Sequence, residues 1–425
     1  TGHPDMYLAF AWRMYNLLSK EGRLGVAFPR TLWNAAGCSQ FRDTILNNCS
    51  ISDITFLSNN NRWVFDMEPR YTIALSSIHK STADATVQCQ GPYASKPEYD
   101  ARLNDSPAIV KTSEIMEWTA DSIFPLLSNS QSSDVYRQLK KWPSLTSPEL
   151  GTISATPCQE LNATTDKPLM TMTAEQPEGF WPVYKGASFN IWEPDRGEDH
   201  YYAWIDPEKA VNHLQAKRLR SANNKNSAFY GNDKQYLEDE STLPCKNPRI
   251  AIRLVTNRTN TRTTICSLIP PNIVLQNGAP YLLMQHGSSK DEAYLVGIIS
   301  SIPFDWMART ITELNMNHHV LDSFSVPPPT NNPDLASYVT SLAGRLASPD
   351  ERFADWASAV GVEYGPLDQD EKENMIHELD AAVAHMYGLS ESQLIHIFET
   401  FHVGWDYHER LQRTLEHFQN LKQYL

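Results

Sequence analysis

The first eighty residues alternate between helix-like and strand-like patterns, which limits the folds available to this chain more than any other feature. Apolar residues from Tyr7 to Leu18 recur at helical spacing, and Arg23–Pro29 is typical of a short buried strand. A second helix, from about Ser39 to Asn47, leads into a strand at Ile54–Leu57. Helices and strands that alternate in this way predict an α/β sheet.

A hairpin is predicted to end this region. Trp63–Phe65 and Tyr71–Leu75 are rich in aromatic and β-branched residues, and Pro69 lies in the turn between them. The order helix, strand, helix, hairpin suits the second half of a doubly wound domain. Residues 1–80 are therefore predicted to form a partial Rossmann-like sheet.

Beyond residue 80 the pattern changes three times. Residues 81–180 are polar and rich in Ser, Thr and Pro, and they predict a connector with helices. Residues 181–330 predict a mixed α+β domain, with a helical stretch over 291–315 and strands at Ala187–Trp192, Arg249–Val255 and Thr263–Ile269. A run of three prolines at 327–329 then precedes residues 331–425, which predict a helical tail.

Charge is distributed unevenly along the chain. The formal net charge of -14 opposes contact with a polyanion, since nucleic-acid binding uses Lys and Arg to displace counterions. Residues 246–290, however, contain six Lys or Arg and no Asp or Glu, whereas residues 350–380 contain ten acids and two basic residues. The first segment is suited to meet a polyanion, and the second would be repelled by it.

The composition predicts a cytoplasmic protein. Hydrophobic residues make up 41% and charged residues 20%, and no stretch approaches the roughly 20 apolar residues that span a membrane. The six cysteines are scattered without a close pair, so neither a zinc knuckle nor another metal site is predicted. Reduced thiols are the expected state.

Four short segments resemble a known family: Pro4–Phe10, Gly22–Pro29, Val64–Asp66 and Arg70–Leu75. They are similar to segments of the γ-type N6-adenine DNA methyltransferases, especially the Eco57I-like enzymes of type IIG and related restriction or phage-defence systems. The resemblance implies that Phe65 packs on the flipped adenine, because an aromatic face replaces the stacking that a base loses when it leaves the duplex. The alternative is that Phe65 is a core residue of a strand.

Later segments resemble the target recognition region of such enzymes, in the same order along the chain. They are Tyr184–Phe189, Arg249–Pro270, Tyr294–Ser301 with Phe304–Trp306, and Asn315–Asn317, and residues 378–425 resemble the family's helical tail. Each motif is short, but together they cover nearly the whole chain. The resemblance implies that residues from about 90 to 330 select a sequence in double-stranded DNA.

Nine basic residues are candidates for DNA contact, because Arg suits guanine edges and Lys suits phosphates. Each of them could instead pair within the protein or lie on its surface, but as a group at least two are expected to touch DNA. They are Lys185, Lys217, Arg218, Arg220, Lys225, Arg249, Arg253, Arg258 and Arg262.

The family's catalytic motifs are missing from this sequence. It contains no Asn/Asp-Pro-Pro-Tyr/Phe tetrapeptide, and no Asp-x-Gly-x-Gly turn for S-adenosylmethionine. No catalytic residue is assigned, and the chain alone is expected to be inactive and to bind no cofactor. The resemblance implies that S-adenosylmethionine binds the intact enzyme, whose N-terminal half, or a subunit of a defence complex, would be the protein partner.

Other chemistries have weaker support. Asp370-Glu371-Lys372 has the acid-x-Lys pattern of metal-dependent nucleases, but a solvated helix start explains it better, and His318-His319 lacks further ligands. Two alternatives to DNA recognition stay open. One is a non-enzymatic module that docks a partner protein through the acidic tail, and the other is an intact enzyme with an unrecognised site.

Overall fold

The computed structural model describes residues 5–81, 86–256 and 260–424. The chain divides into two units: the first comprises Thr1–Lys141 with Met307–Glu313, and the second comprises Trp142–Trp306 with Leu314–Leu425. Both mix helices with strands, so the chain has the mixed α/β character that its sequence predicts. None of the described helices is long and apolar enough to cross a bilayer.

A five-stranded sheet forms the centre of the first unit. Its strands are β1 (Arg23–Pro29), β2 (Ser50–Ser58), β3 (Thr72–His79), β4 (Thr86–Tyr93) and β5 (Ala108–Lys111). Their order is β1-β3-β2-β4-β5. Strand β3 is antiparallel to both β1 and β2, and β4 is parallel to β2. Strands β1, β2 and β4 therefore run in the same direction, as in a partly parallel sheet.

Six helices accompany this sheet: α1 (Met6–Leu17), α2 (Thr31–Asn34), α3 (Ser39–Asn48), α4 (Lys96–Arg102), α5 (Thr112–Trp118) and α6 (Ser130–Leu139). The buried side chain of Arg42 on α3 bonds to α2, to the residue after α2 and to the loop between α5 and α6. Its guanidinium group donates to the carbonyls of Leu32 at 2.9 Å, Ala35 at 2.8 Å and Asp121 at 2.5 and 2.9 Å. Because all four bonds end on backbone oxygens, Arg42 fixes α2 and the loop between α5 and α6 to its own helix.

A buried ion pair attaches residues 307–313 to this sheet. Arg30, just after β1, places its Nη1 atom 2.5 Å from the Glu313 carboxylate, and Arg30 is 1% exposed. Its Nη2 atom donates to the carbonyl of Thr310 at 2.6 Å, and the other Glu313 oxygen accepts from the Thr72 amide at 2.9 Å. The first unit is thus built from two separate stretches of sequence.

The sequence predicted most elements of the first eighty residues but placed the hairpin wrongly. Strands β2 and β3 form it, and Trp63–Phe65 lies in the loop between them. Strand β1 has the predicted bounds, but it lies at the sheet edge with alternate residues exposed and is not buried. The predicted boundary at residue 80 falls inside the sheet, because β4 and β5 extend it.

Two four-stranded sheets form the β part of the second unit. Their strands are β6 (Thr156–Cys158), β7 (Met170–Thr171), β8 (Trp181–Tyr184), β9 (Ala203–Ile205), β10 (Arg249–Ile252), β11 (Cys266–Ile269), β12 (Val274–Leu275) and β13 (Tyr281–Leu283). One sheet has the order β11-β10-β13-β6 and the other β12-β8-β9-β7. The strand predicted at Ala187–Trp192 is wrong, since that segment forms turns after β8.

The second unit also contains helices. They are α7 (Pro207–Ser221), α8 (Lys234–Glu238), α9 (Ser289–Ser300), α10 (Ile302–Ile311), α11 (His318–Asp322), α12 (Pro333–Ala347), α13 (Ala354–Val360), α14 (Gln369–Met386), α15 (Glu391–Glu399) and α16 (His408–Asn420), with the end of α10 in the first unit. Residues 331–424 contain helices and no strand.

Gly297 explains how closely α9 and α12 pack. A Cβ atom added at Gly297 would lie 2.8 Å from the Ala343 Cβ and 3.2 Å from a Val339 methyl group. These distances are shorter than ordinary van der Waals contact. A side chain at position 297 would therefore collide with α12, and glycine lets the two helices approach closely. Gly297 lies in Tyr294–Ser301, one of the segments that resemble the target recognition region.

Candidate nucleic-acid interface

Phe65 lies in the loop between β2 and β3 with 47% of its surface exposed. The buried side chain of Asn59 holds this loop. Its Nδ2 atom donates to the Phe65 carbonyl at 2.9 Å, and its Oδ1 atom accepts from the Phe65 amide at 3.0 Å and the Val64 amide at 3.2 Å. The backbone at Phe65 is therefore fixed on both sides by one amide group.

The residues before Phe65 anchor the loop from within. Trp63 and Val64 pack against a small apolar cluster of Leu57, Ile73 and Tyr93. The Trp63 indole also donates to the Ser58 carbonyl at 2.7 Å. Phe65 itself is not a member of this cluster, so the alternative of a core strand residue is wrong. The loop presents an aromatic ring to solvent, and contact with a base stays a prediction.

Two of the candidate arginines are buried and serve the interior of the second unit. Arg249, 3% exposed, pairs with Glu160 at 2.8 Å and donates to the Ile273 carbonyl at 2.8 Å. Arg218, 2% exposed, donates to the carbonyls of Leu237 at 2.7 Å and Asp239 at 2.9 Å. A guanidinium group held in this way reaches no phosphate, so we no longer expect either residue to contact DNA.

Arg253 joins two of the segments that the sequence singled out. Its Nε atom donates to the Gly186 carbonyl at 2.5 Å and its Nη2 atom to the Phe189 carbonyl at 2.9 Å. A Cβ atom at Gly186 would lie 2.7 Å from the Arg253 Cγ atom, so this position needs glycine for close approach. Desolvation lowers the pKa of Arg253, and the positive charge of Arg196 acts in the same direction.

Arg262, in the same segment as Arg253, joins it to the segment that comprises Tyr294–Ser301 and Phe304–Trp306. Its Nε atom lies 2.5 Å from the Asp305 carboxylate, and its Nη2 atom donates to the Ser300 carbonyl at 2.7 Å. The Asp305 side chain is fully buried and also accepts from the amides of Thr263, at 3.1 Å, and Thr264, at 2.8 Å. The similarity in these segments thus corresponds to a structural junction of the second unit.

The remaining candidates differ in exposure. Lys217 donates to the carbonyls of Gln159 at 3.2 Å and Glu160 at 2.6 Å. Arg220 and Lys225 are exposed and Lys185 is partly exposed, and none of the three makes a side-chain hydrogen bond or ion pair with any described residue. Arg258 lies outside the described residues. Among the nine candidates, Lys185, Arg220 and Lys225 are thus the described residues whose charge is left to solvent.

The motifs of other chemistries do not form sites. Within the described residues, no three His, Cys, Asp or Glu side chains come together as a metal would need. The acid-x-Lys pattern coincides with the first turn of α14, where Asp368 caps the helix. Lys372 donates to the Trp192 carbonyl at 2.9 Å.

Glu160 is a residue that the sequence analysis missed. It is 3% exposed, pairs with Arg249 and accepts from the Leu275 amide at 2.7 Å. Burial raises the pKa of Glu160 despite the neighbouring arginine. Nothing in the surrounding sequence, Pro157-Cys158-Gln159-Glu160, signals this pairing across 89 residues of chain.

Comparison with known proteins relates the start of the chain to restriction-modification methylases. Residues 1–65 match the model of the Eco57I restriction-modification methylase family. No curated protein sequence matches the chain significantly.

Two solved restriction-modification enzymes are similar in structure. The type IIL enzyme MmeI, solved in complex with DNA, is 13% identical with a TM-score of 0.43, and the alignment covers 94% of this chain and 50% of that one. The type IIG endonuclease BpuSI is 10% identical with a TM-score of 0.32, covering 91% and 50%. The chain thus spans about half the length of these two enzymes.

Proposed function

We propose that this chain is the DNA target-recognition portion of an S-adenosylmethionine-dependent N6-adenine DNA methyltransferase of a restriction-modification or phage-defence system. The observation that carries the proposal is the loop of Phe65. It ends the segment that matches the Eco57I methylase family, and it holds an exposed aromatic ring on a backbone fixed by Asn59. The second unit, by this proposal, selects the DNA sequence in the cytoplasm of a bacterial cell.

The methyl donor would bind outside this chain. Strand β1 ends at Pro29, Arg30 alone separates it from α2, and Arg30 pairs with Glu313. A donor site of this family needs a glycine-rich turn, and the residues here do not fit it. We therefore derive no step through the donor, and methyl transfer belongs to the intact enzyme.

An exposed apolar face in the first unit suits a protein partner. On α1, Met6 is 69% exposed, Phe10 53% and Leu17 67%, and strand β1 lies at the edge of its sheet. An edge strand beside an apolar helix face is an incomplete layer that another segment covers in a stable domain. The proposed occupant is the donor-binding half of the same enzyme, or a subunit that supplies it.

A base-packing role for Phe65 predicts a preference for DNA with an extruded adenine. Stacking on an aromatic side chain contributes about 1–3 kcal/mol per base. In Phe65→Leu, binding to a duplex with a mispaired adenine should weaken about 5- to 100-fold relative to binding of the fully paired duplex. Titration of both duplexes, with 2-aminopurine at the mispaired position, measures the preference.

The controls lie on the same loop. Phe65→Trp should keep the preference, since it retains an aromatic face, and Met67→Leu, 38% exposed in the native chain, should leave it unchanged. Equal loss in Phe65→Leu and Met67→Leu would reject the base-packing role.

The three candidate cations without an ion pair, Lys185, Arg220 and Lys225, predict a measurable share of DNA affinity. Replacing Lys185, Arg220 and Lys225 together by Gln should weaken duplex binding at low salt. For every phosphate that is no longer neutralised, the slope of log K against log salt should become shallower by about 0.9. Electrophoretic shift assays over a salt series measure both quantities. A matched triple at exposed cations that form no ion pair with a described residue, Lys20→Gln, Lys167→Gln and Lys209→Gln, removes the same charge and should retain the slope.

A protein-docking module is the second candidate, because the start of α14 presents exposed acids at Asp370, Glu371 and Glu373. Such a surface repels DNA and suits a basic partner. If the native chain fails to bind duplex DNA at low salt, this function replaces DNA recognition.

A further inference from the structure

The segment after β8, residues 185–189, forms a turn in which every backbone carbonyl accepts a hydrogen bond. The donors, in order along the turn, are the Ser188 amide at 2.9 Å, Arg253 Nε at 2.5 Å, Arg196 Nη1 at 3.2 Å, the Arg196 amide at 3.0 Å and Arg253 Nη2 at 2.9 Å. Surface loops are in general more mobile than the strands they connect. Here, hydrogen bonds hold the backbone along the whole turn.

Arg253 supplies two of these bonds from a position just after β10. Its planar guanidinium group spans the carbonyls of Gly186 and Phe189 and so brackets the middle of the turn. No described carboxylate pairs with Arg253, and its pKa is lowered by desolvation and by the charge of Arg196. Arg253 therefore acts on the shape of the turn and not on an ion pair.

Lys185 opens the turn, with a fixed backbone and a free ammonium group. Its amide donates to Ser188 Oγ at 3.0 Å, and that hydroxyl donates to the His200 carbonyl at 2.7 Å. The Lys185 side chain is partly exposed and makes no hydrogen bond or ion pair with a described residue. The backbone that carries this charge is thus positioned before any ligand binds.

Two acids that follow the turn already have cationic partners. Glu193 lies 3.6 Å from Arg196, and Asp195 lies 2.7 Å from Arg352. Neither carboxylate pairs with Lys185, whose charge is therefore available to an anion outside the protein.

We propose that Arg253 is a positioning residue for DNA binding, which holds the turn so that the Lys185 ammonium group meets a backbone phosphate. This role rests on the proposed DNA recognition. A side chain on a fixed backbone loses less conformational freedom on binding than one on a mobile loop, and the difference strengthens binding. An ammonium group is a compact charge suited to phosphate, and phosphate contacts set the register of a protein on a duplex.

The test is a double-mutant cycle on the full chain, with binding of a mixed-sequence duplex measured by fluorescence anisotropy over a salt series. Lys185→Gln and Arg253→Met should each weaken binding about 2- to 10-fold, and the double variant should bind at most about twofold more weakly than the weaker single variant. In all three, the slope of log K against log salt should become shallower by about 0.9, because the same phosphate contact is lost. A change of about 1.8 in the double variant would show that Arg253 itself contacts DNA, and would overturn the positioning role.

Gly186→Ala tests the same role without a change of charge. The added Cβ atom would lie 2.7 Å from Arg253 Cγ and 3.0 Å from the Gly278 carbonyl oxygen, so the turn has to move away from Arg253. Duplex binding should weaken about 2- to 10-fold. Hydrogen exchange in peptides that cover 185–189 should become faster in Gly186→Ala and Arg253→Met but not in Lys185→Gln. Arg253→Lys, which keeps the charge and a donor, should bind DNA with an affinity between those of the native chain and Arg253→Met.

Arg345→Met is the matched control, because Arg345 also holds a loop of the second unit through backbone carbonyls. Its Nη1 atom donates to the Gly365 carbonyl at 2.7 Å and its Nη2 atom to the Pro366 carbonyl at 3.3 Å. Thermal melting shows how far each variant is destabilised, and Arg345→Met should bind the duplex as the native chain does. If it binds as weakly as Arg253→Met, general loss of stability explains the effect and the positioning role is wrong.

Two outcomes separate this role from the proposed function. A native chain that binds no duplex at low salt overturns both. A chain whose binding falls in the Lys185, Arg220 and Lys225 triple, while Arg253→Met and Gly186→Ala bind as the native chain does, overturns the positioning role alone.

Discussion

Replacing Glu313 by Ala is expected to lower the free energy of unfolding of the first unit by about 3–5 kcal/mol. The Glu313 side chain is 8% exposed and that of Arg30 is fully buried, so the substitution leaves a guanidinium charge inside the protein without its partner. It also removes the acceptor of the Thr72 amide at the start of β3. Hydrogen exchange read in peptides from β1 and β3 measures the loss in this unit alone.

Two further variants show whether charge is the cause. The double variant Arg30→Met with Glu313→Leu removes both charges and should cost less than Glu313→Ala, because no unpaired ion remains. Glu117→Ala, at an exposed site in the same unit, should change exchange in β1 and β3 very little. A Glu313→Ala protein as protected as Glu117→Ala would show that the pair does not stabilise the unit.

Replacing Asp305 by Ala should cost the second unit a similar amount, about 3–5 kcal/mol. One carboxylate here holds the Arg262 guanidinium at 2.5 Å and the amides of Thr263 and Thr264. All three donors would lose their acceptor at once in a site where water does not replace it. Chemical denaturation combined with hydrogen exchange in peptides that cover β11 and α9 measures the loss.

Asp305→Asn separates the charge from the shape of this group. It keeps an oxygen for the Thr264 amide but loses the ion pair with Arg262, so its cost should fall between those of the native chain and Asp305→Ala. Glu363→Ala, at an exposed residue of the same unit, is the control for loss of an acid. If Asp305→Ala and Glu363→Ala unfold at the same denaturant concentration, the junction contributes nothing.

Strand β1 and helix α3 of the first unit were predictable because the spacing of apolar residues that forms them lies within a single element. Arg23–Pro29 and the helix over 39–48 follow from the spacing of apolar residues within one element. The hairpin was misplaced because Trp63 and Val64 have strand-forming side chains and yet are held in a loop by Asn59. A single buried amide that bonds to distant backbone groups leaves no periodic signal in the sequence.

The candidate site also combines features that the sequence predicts with features that depend on distant contacts. The base-packing role of Phe65 was predicted from the resemblance; its side chain is 47% exposed, and the role stays a prediction. The basic residues were harder, since Arg in a charged segment of sequence gives no sign of its partner. Arg249 pairs with Glu160 and Arg262 with Asp305, 89 and 43 residues away, so sequence alone could not separate interior arginines from surface ones.

Because residues 307–313 belong to the first unit, the gene cannot be divided between the units at one point. A fragment ending at residue 141 would carry Arg30 without Glu313 and so lack a buried counter-ion. A chimaera that exchanges everything after residue 141 with a relative would import a foreign version of this short stretch. Under the proposed function, specificity swaps should therefore graft 142–306 and 314–425 while retaining the native residues 307–313.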